Sequence, residues 1–495
     1  MANRNVFAKG ISDDKKFLGR KVLYSSVDEM ELNVLTIAQV LKEILPIHLE
    51  NMKEMDYLYG YYKGNQKILN KFKKVRSDIN NKVLENNAFH IVEFKKGYVF
   101  GDPIQYVQRG DVAKEEINIL NKYMLENDKA SKDKDLAEDW YITGTAYRMI
   151  FPSEDTDKPF DIYNASPKQT FVVYNSGYEH KPLFAGYIAP KRDFGKNEDY
   201  FVITIYTKSE VYNFMTSGDF TQQKEVNIES VGSVSKNWIG DIPIIEYPLN
   251  KSRLGIIELV MSVLDSLNTI SSNDIDDIEQ FVQSLLVFVN AEVDIKGLKE
   301  LTELGAVNIT SQDNQAGRAD IKLLSNKLSH SETKVLYDRL YQNMLTIAGV
   351  PRMSDKASSG DTGQARLVGE GWTMSDERAK QDELSFKLSE KQLIKLALSI
   401  CKRKASSFIK NLMPSDIEIK FTRNKSDNLL VKTQGLLNLM SAQVAPQVAF
   451  QTVGLFSDPN NVVEQSQEFY GDSFWDNDTD KDVIMNDVDT PLVSE

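Results

Sequence analysis

Apolar residues recur at every third or fourth position in several parts of the chain, which is the spacing of an amphipathic helix. The first such stripe consists of Leu32, Leu35, Ala38, Leu41 and Leu45. Ser26 and Glu29 precede it at the spacing of a capping box. Pro46 follows it, and proline lacks the backbone N–H that a helix interior needs. The pattern therefore predicts a helix that begins near Ser26 and is kinked or ended at Pro46.

The part of the chain that follows predicts a mixture of strands and helices. Alternating apolar residues, with glycines and a proline among them, indicate short strands and turns over residues 89–107. Two helices are expected near residues 112–127 and 132–142, and a β-rich region over residues 146–215. The clearest strand candidates in that region are residues 170–174, 183–188 and 201–206.

One long helix is predicted over residues 254–286, because the segment has no proline and its only glycine, Gly255, lies near its start. Its apolar face consists of Val260, Val263, Leu264, Leu267, Ile270, Ile275, Ile278, Phe281, Val282 and Leu285. Acidic residues cluster towards its C-terminal half: Asp265, Asp274, Asp276, Asp277 and Glu279. Negative charge at that end opposes the helix macrodipole. We therefore infer that a partner outside the helix requires it.

A small β-α-β-β module and further helices are predicted in the remainder of the chain. The module comprises strands at residues 285–289, 306–309 and 321–324 and a short helix near residues 298–304. Helices are expected over residues 332–348, over about 40 residues that end near Arg403, and over residues 427–441 and 460–470. A polar stretch between Gly349 and Gly363 is expected to be flexible. Together these elements predict an α+β fold.

Composition narrows the classes of protein. The 495 residues are 41% hydrophobic and 26% charged, which suits about three globular domains. The single cysteine, Cys401, excludes an internal disulfide framework and a cysteine-built zinc site. The longest apolar runs are too short to span a bilayer, and the first residues lack the apolar core of a signal peptide. We therefore expect a soluble protein of a reducing compartment.

Charge is distributed unevenly along the chain. The net charge is −13, and residues 456–495 carry −10 of it through eleven acidic residues against Lys481 alone. The first 455 residues are therefore nearly balanced, at −3. Tight binding to nucleic acid requires many Lys and Arg residues to displace counterions. A firm grip on DNA is thus disfavoured, whereas weak contact remains open.

Most catalytic motifs are absent from the sequence, which contains no phosphate-binding loop, no HExxH, no GxSxG and no glycine-rich dinucleotide fingerprint. The acidic residues between Asp274 and Glu279 could in principle hold Mg²⁺ for a nuclease. On a helix, however, Asp274 and Asp277 share one face, while Asp276 and Glu279 point elsewhere. A solvated acidic surface is the favoured interpretation.

The acidic tail contains a weak candidate for a metal site. Asp476, Asp478 and Asp480 alternate as in an EF-hand calcium loop. Lys481 stands where that loop needs glycine, and Asp487 replaces its bidentate glutamate. A disordered acidic tail is therefore favoured over a calcium site.

A segment rich in tyrosine and then in lysine leaves several interpretations open. The tyrosines are Tyr57, Tyr59, Tyr61 and Tyr62, and a possible basic patch follows at Lys67, Lys71, Lys74 and Arg76. Aromatic rings interleaved with cations are typical of surfaces that bind single-stranded nucleic acid. Buried tyrosines beside a solvated helix face are commoner, and the lysines could equally meet the acidic residues of another subunit.

Several short motifs follow one another in a fixed order along the chain. They are Tyr61-Tyr62-Lys63-Gly64-Asn65-Gln66-Lys67-Ile68, Asn86-Asn87, Gly97-Tyr98-Val99-Phe100-Gly101-Asp102-Pro103-Ile104, Gly144-Thr145-Ala146-Tyr147, Ser166-Pro167, Ile242-Pro243-Ile244-Ile245-Glu246, and Asp265 with Ser271-Ser272-Asn273-Asp274. The last is Ser359-Gly360-Asp361-Thr362-Gly363-Gln364-Ala365. In this order and spacing the chain resembles the bacteriophage portal proteins of the siphophage head–tail connector type. The final motif is similar to that family's Ser-Gly-x-Ala element, but has extra residues before Ala365.

The resemblance implies a dodecameric ring at one capsid vertex, through which double-stranded DNA is packaged and ejected without being tightly bound. It implies a portal fold with an α/β wing, a long helical stem, a small clip and a helical crown. The corresponding residues are 1–250 and 363–425 for the wing, 251–286 and 329–348 for the stem helices, 287–328 for the clip, 349–362 for the channel loop, and 426–495 for the crown with its acidic tail.

The resemblance also implies site residues and partners. Arg352, Lys356, Ser359 and Gly360 would belong to the channel loop, and Asp274 and Asp277 would face the channel. The partners would be the large terminase subunit, head-completion or adaptor proteins, and the major capsid and scaffold proteins, with no membrane. The protein would be made in the host bacterial cytoplasm and reside in the virion, with no enzymatic activity and no cofactor. Alternatives are a metal-dependent DNA-processing nuclease and an internal head or scaffold-like protein without a pore.

Overall fold

The computed structural model is a mixture of helix and sheet. It describes residues 17–74, 76–109, 114–155, 158–192, 199–217, 228–282, 285–289, 291–292, 310–311, 320–324, 330–352, 371–423, 429–453, 455–456 and 459–470. Its described residues form both helices and strands, which is consistent with the predicted α+β class.

The helices form most of the body and the C-terminal end of the described chain. They are α1 (Val34–Tyr62), α2 (Asn87–Phe100), α3 (Lys114–Glu126), α4 (Lys129–Thr143), α5 (Ile256–Val282), α6 (His330–Ala348), α7 (Trp372–Arg403), α8 (Leu429–Ser441), α9 (Pro446–Val453) and α10 (Pro459–Tyr470). Short 3₁₀ turns lie at Glu29–Glu31, Lys67–Asn70 and Pro414–Asp416.

The strands form one large sheet and several small ones. They are β1 (Leu23–Ser25), β2 (Gln105–Gln108), β3 (Thr145–Pro152), β4 (Phe160–Ala165), β5 (Thr170–Asn175), β6 (Pro182–Arg192), β7 (Asp199–Tyr206), β8 (Glu210–Ser217), β9 (Glu229–Ser230), β10 (Ser235–Lys236), β11 (Ile244–Pro248), β12 (Leu285–Val289), β13 (Ala291–Glu292), β14 (Thr310–Ser311), β15 (Asp320–Leu324) and β16 (Ile417–Lys420). The large sheet has the order β1-β5-β6-β7-β8-β10, with β9 also paired to β8. The others are β11-β3-β4, β2-β16, β12-β15 and β13-β14.

Helix α1 contributes to the two largest of the apolar clusters in the described part of the chain. The N-terminal half of α1 packs on the large sheet, where Leu41 and Leu45 join a buried cluster with Phe184. Its C-terminal end, including Leu58 and Tyr61, belongs to the larger cluster that also contains residues of α2, α4, α5, α6 and α7. A single long helix thus ties the sheet to the helical part of the body.

The centre of the larger core is aromatic. The ring of Phe386 in α7 lies 4.9 Å from that of Phe100, 4.8 Å from that of Tyr247 and 5.5 Å from that of Trp140, measured between centroids. Rings at these separations in tilted or edge contacts add to the free energy gained by burial. They join α7 to α2, α4 and β11.

A buried ionic network fixes α7 beside this aromatic cluster. The carboxylate of Glu390 lies 3.0 Å from Lys129 Nζ and accepts hydrogen bonds from the hydroxyls of Tyr106 at 2.5 Å and Tyr247 at 2.8 Å. Arg148 Nη1 lies 2.8 Å from Asp133 and 3.7 Å from Glu390. Burial opposes ionisation of Glu390, but the two cations outweigh it and hold the pKa of this carboxyl below its ordinary value.

The predicted start of α1 was wrong, and of the two outcomes predicted at Pro46, a kink or an end, the end was wrong. The helix begins at Val34, because the Asn33 side chain accepts the N–H groups of Leu35 and Thr36. Residues 29–31, which follow the supposed cap at Ser26, form a 3₁₀ turn instead. The helix also runs through Pro46 to Tyr62. Pro46 lies on the exposed face, where water can satisfy the carbonyl group that loses its helical partner.

The strands predicted over residues 89–107 were also wrong, except at the end of that range. Helix α2 occupies most of it, and its buried residues Ala88, Ile91, Val92 and Val99 have helical spacing. Its interior glycine, Gly97, has no neighbouring atom within 4 Å of an added Cβ. Only β2 is a strand there, and it pairs with β16, a strand that the sequence pattern did not predict.

The remaining predictions fall into two groups. The helices that correspond to α3, α4, α5, α6, α7, α8 and α10 are confirmed, as is the β-rich region from β3 to β8. Strands β12 and β15 are confirmed and pair antiparallel. Helix α9 was not predicted. The predicted helix at residues 298–304 and strand at residues 306–309 lie outside the described residues.

Asp139 of α4 provides a test of how burial affects stability. Burial raises the pKa of its carboxyl to about 6, although a 2.5 Å hydrogen bond from the Tyr59 hydroxyl opposes the shift. The folded state therefore binds this proton more tightly than the unfolded state, and its contribution to stability is lost as the pH rises from about 4 to about 6. Replacing Asp139 by Asn should raise the free energy of unfolding at pH 7 by about 2 kcal/mol, with no gain at pH 4.

Urea titrations at both pH values measure this difference. Glu418→Gln, at an exposed position of β16, is the control and should change the unfolding free energy by less than about 0.5 kcal/mol. An equal gain for Asp139→Asn at pH 4 would show that the effect is not one of ionisation.

Candidate functional site

The base of α5 is held where three backbone segments approach one another closely. Gly144 has φ +78°, and a Cβ there would lie 2.2 Å from the Arg253 carbonyl oxygen. Gly19 has φ +85°, and its Cβ would lie 2.0 Å from the Ser252 carbonyl oxygen. A Cβ on Gly255 would meet the Ile142 carbonyl oxygen at 2.3 Å. Only glycine fits at these positions, which explains the Gly144 motif in the sequence.

Two ion pairs reinforce this junction. Arg253 donates to the Glu246 carboxylate from Nε at 2.5 Å and from Nη2 at 3.0 Å. Arg20 Nη2 lies 2.5 Å from Glu258 in the first turn of α5 and 3.1 Å from Glu54 in α1. Burial raises the pKa of Glu258, while Arg20 opposes that shift. The start of α5 is therefore fastened to β11 and to α1.

Helix α5 carries its acidic residues on different faces. Asp276 is fully buried, with 0% exposure, and it lies 2.7 Å from Lys71 Nζ and 2.6 Å from Lys73 Nζ. Burial opposes ionisation of Asp276, but hydrogen bonds from the two lysines and from Asn81 hold its pKa well below the ordinary value. The prediction of a solvated acidic surface was therefore wrong for Asp276. The inferred partner outside the helix is a segment of the same chain.

The predicted separation of the faces is confirmed. Asp276 and Glu279 both accept hydrogen bonds from the Asn81 side chain, at 2.9 and 2.8 Å. Asp274 and Asp277 lie half-buried on another side of the helix. Two helical positions near them, Ile275 and Ile278, are exposed large apolar residues.

The lysine-rich segment does not form one open basic surface. Lys71 and Lys73 bind Asp276, and Arg76 Nη2 lies 3.0 Å from Asp78. Lys67 and Lys74 are exposed. Of the four residues of the predicted patch, the structure therefore places only Lys71 on this carboxylate of α5, where it is joined by Lys73.

The tyrosines before this segment are mostly internal. Tyr61 and Tyr62 are buried, and the Tyr61 hydroxyl donates to Asp265 of α5 at 2.8 Å. Burial raises the pKa of both phenols, and the carboxylates beside them raise it further. The interpretation as buried tyrosines is confirmed, and these two rings do not form a stacking surface for bases.

Helix α6 packs against α5 and exposes apolar side chains at its N-terminal end. Val335 is 68% exposed and Leu336 is 43% exposed. They line a groove of about 330 Å³ with Ser331, Glu332 and Arg339. Exposed apolar residues that are grouped together typically mark a contact surface.

The predicted channel-loop residues are only partly described. Arg352 is exposed, and its Nη2 donates to the Thr346 hydroxyl at 3.0 Å. Lys356, Ser359 and Gly360 lie outside the described residues, and so do the tail residues Asp476, Asp478 and Asp480 of the calcium candidate.

The described part of the chain offers little for metal chemistry. No group of three or more His, Cys, Asp or Glu side chains there is placed to hold a metal ion. His48 is buried against the Lys168 carbonyl oxygen at 3.1 Å, and burial lowers its pKa to about 4. Among the described helices, none combines the length and the apolar character needed to cross a membrane.

Comparison with known proteins identifies the family. A family model described as "Phage portal protein, SPP1 Gp6-like" matches residues 41–469, from within α1 to within α10. The chain belongs to the phage portal protein family. Portal proteins form the DNA channel of the phage particle, so this chain has a phage portal function and a place in the virion. The family is structural and not enzymatic.

Two other comparisons add less. No curated protein matches this portal protein. Among solved structures, a chain of "Virion of native gene transfer agent (GTA) particle" aligns with 75% of this chain and 90% of its own length, at 11% identity and a TM-score of 0.40. The family assignment therefore depends on the sequence match.

Sequence reasoning missed the residues that link the lysine-rich segment to α5. Asn268 was not singled out, Ser272 was named only as part of a family motif, and Lys73 was left out of the predicted patch. A signal was present, because Asp265, Asn268, Ser272, Asp276 and Glu279 recur every third or fourth residue. Such a polar stripe on a long helix indicates a second buried face that needs hydrogen-bonding partners.

The junction at the base of α5 should be intolerant of a side chain at Gly144. Gly144→Ala places a methyl group against the Arg253 carbonyl oxygen and should lower the free energy of unfolding by about 3 kcal/mol. Gly232→Ala is a matched control, because Gly232 has φ +79° but no atom within 4 Å of an added Cβ. The control should lose only about 1 kcal/mol from the left-handed backbone. Equal losses in urea titrations would show that the close contact does not matter.

Proposed function

We propose that this portal protein assembles into a closed dodecameric ring at one capsid vertex, through which double-stranded DNA is packaged and later ejected. The family match over residues 41–469 carries this proposal. A ring of identical subunits requires a heterologous interface, in which two different surfaces of the same chain meet and the rotation closes.

The parts of the ring are assigned by analogy with the family. Helices α5 and α6 form the stem, and residues 287–328 form the clip. Residues 1–250 and 363–425 form the wing, residues 349–362 the channel loop, and residues 426–495 the crown. The 27 residues of α5 are about 40 Å long at 1.5 Å per residue. A helix of that length, packed against α6 and anchored at its base, is suited to form a rigid part of a channel wall.

The exposed apolar residues of the stem support a contact between copies. Ile275 and Ile278 on α5 and Val335 and Leu336 on α6 are open to solvent in the single chain. Burial of such side chains against a neighbouring copy contributes about 25 cal/mol per Å². We assign this surface to the subunit interface of the ring.

DNA passes through the channel without being gripped. Asp274 and Asp277 face the channel in this proposal, where the duplex presents about one negative charge per 1.7 Å of its axis. Repulsion between like charges keeps the duplex centred and free to slide. Arg352, Lys356, Ser359 and Gly360 belong to the loop nearest the DNA, and Arg352 and Lys356 supply its weak contacts with phosphate groups.

The partners follow from the same position in the particle. The clip seats the large terminase subunit during packaging and then the head-completion or adaptor proteins, while the wing contacts the major capsid and scaffold proteins. The sequence contains no phosphate-binding loop, so ATP hydrolysis is assigned to the terminase. The subunit is made in the host bacterial cytoplasm before it enters the capsid.

Assembly of the purified chain tests the proposal directly. Closed rings with a central hole, seen by negative-stain electron microscopy, and a solution mass of twelve subunits are the expected results. Val335→Asp combined with Leu336→Asp should leave a folded monomer, because two carboxylates cannot be buried unpaired at the interface. Val231→Asp combined with Val234→Asp, at exposed apolar positions outside the stem, is the control and should still form rings. Pore-free particles of the unmodified chain, with or without its scaffold protein, would contradict the ring.

Charge reversal on the stem tests the channel. Asp274→Lys combined with Asp277→Lys should reduce the number of DNA-filled heads about tenfold while rings still assemble, because the duplex is then attracted to the wall. Glu115→Lys combined with Asp135→Lys makes the same charge change on α3 and α4 and should package normally. The measurement is the ratio of filled to empty heads in complementation with each variant. Normal packaging by the stem variant would contradict a repulsive channel lining.

A further inference from the structure

Helix α5 has a second buried face that is polar. Asn268, Ser272 and Asp276 follow one another at intervals of four residues, and each has 0% exposure. Asp265 and Glu279 extend the same stripe by three residues in each direction. Polar groups buried in this way require hydrogen-bonding partners. The partners come from an extended segment that lies almost two hundred positions away in sequence.

Alternate backbone N–H groups of that segment pair with the stripe. The N–H of Asn81 donates to Asp276 Oδ1 at 2.6 Å and that of Val83 donates to Ser272 Oγ at 2.9 Å. The N–H of Glu85 donates to Asn268 Oδ1 at 2.9 Å. The two elements run in opposite directions, since the residue number rises along the segment as it falls along the helix.

The repeat distances of the two elements match. Four residues of extended chain span about 13 Å, and eight residues of helix span about 12 Å. Every second N–H of the segment therefore meets a side chain one helical turn further along α5. The side-chain oxygens of the helix take the place of the neighbouring strand that would accept these N–H groups in a sheet. We call residues 81–85 the strap.

The charges around Asp276 make the observed position of α5 along the strap more favourable than a position shifted by one helical turn. The Asp276 end of this ladder contains ion pairs, with Lys71 and Lys73 on the same carboxylate oxygen. If α5 moved by one turn along the strap, Ser272 or Gln280 would face these two lysines. The cations would then lose their carboxylate, and Asp276 would be buried without a counter-charge, which is strongly unfavourable.

The other end of the strap joins the two stem helices. The Glu85 carboxylate accepts hydrogen bonds from the Ser271 hydroxyl of α5, at 2.5 Å, and from the Tyr337 hydroxyl of α6. Asn268 also donates to Gln66 Oε1 at 2.6 Å, which connects the ladder to the chain that follows α1. The strap thus contacts α5, α6 and the body at once.

We propose that the strap sets the axial register of α5 and holds both stem helices to the body as one rigid unit, with Asp276 as the positioning residue. This inference rests on the proposed function, because only in a ring does the register of α5 determine which residues face the DNA. Its chemistry is nevertheless contained within one subunit and can be measured without DNA.

Hydrogen exchange of the strap amides tests the proposal. Asp276→Asn retains an oxygen that can accept the Asn81 N–H but removes the charge that Lys71 and Lys73 bind. The amides of Asn81, Val83 and Glu85 should exchange about tenfold faster in this variant, because the ladder opens more often. Asp277→Asn is the matched control, with the same charge change at the adjacent residue, and should leave these amides unchanged. Equal exchange in the two variants would overturn the proposal.

A second variant and a parallel readout keep the test decisive. Lys73→Gln leaves Lys71 on Asp276 and should raise the exchange rate about threefold, even if Asp276→Asn does not fold. Rings of Asp276→Asn should assemble but yield fewer filled heads than rings of the unmodified chain. If the unmodified chain forms no rings, the proposed function is contradicted. The exchange rates still test whether Asp276 holds the strap on α5. If rings form and the strap amides do not change in either variant, the strap fails and the ring stands.

Discussion

Apolar contacts alone cannot hold a long helix at one position along its axis, because burial of hydrocarbon is non-directional and a slide by one turn presents a similar surface. Helix α5 has this difficulty, with 27 residues and an apolar face along most of its length. Its polar contacts are directional, and they occur at both ends. Arg20 binds Glu258 in the first turn, and Lys71 and Lys73 bind Asp276 near the last. The position of the helix, and of everything that follows it in the chain, depends on these pairs.

The same solution recurs in the body, where Glu390 fixes α7. Both carboxylates are fully buried, and for both the nearby cations outweigh the effect of burial on the pKa. Buried ion pairs often contribute no more to stability than apolar residues of similar size would, since desolvation offsets the attraction. Their advantage here is specificity: each carboxylate has one set of partners, so each helix has one favourable alignment. The glycine junction at Gly144 and Gly19 adds a steric limit at the base of α5.

Periodicity predicted the helices and strands whose apolar residues had a single interpretation. Helix α5 and strands β5, β6 and β7 are of this kind, because their patterns are long or strictly repeated. Helix α2 was mistaken for strands because glycines and alternation in a short segment suit both structures, and only packing on α4 and α5 decides between them. The role of Asp276 could not be predicted, because its partners Lys71, Lys73 and Asn81 lie about two hundred residues away and only the fold brings them to it. Local pattern identifies a buried polar face but not what covers it.

Helical geometry separates the buried Asp276 of α5 from Asp274 and Asp277, which are proposed to line the channel. Successive residues are about 100° apart around a helix, so Asp274 and Asp277 lie within about 60° of each other, while Asp276 is about 100° from Asp277 and about 160° from Asp274. The lysines that neutralise Asp276 therefore approach from the strap side and leave the side of Asp274 and Asp277 without those cations. A helix that needs both a neutralised anchor and a negatively charged wall can carry them only on different faces, and a spacing of one to three residues is enough to do so. A slide by one turn would keep the same faces in place but would take Asp276 away from Lys71 and Lys73, so the anchor fixes the height along the axis at which the proposed wall lies.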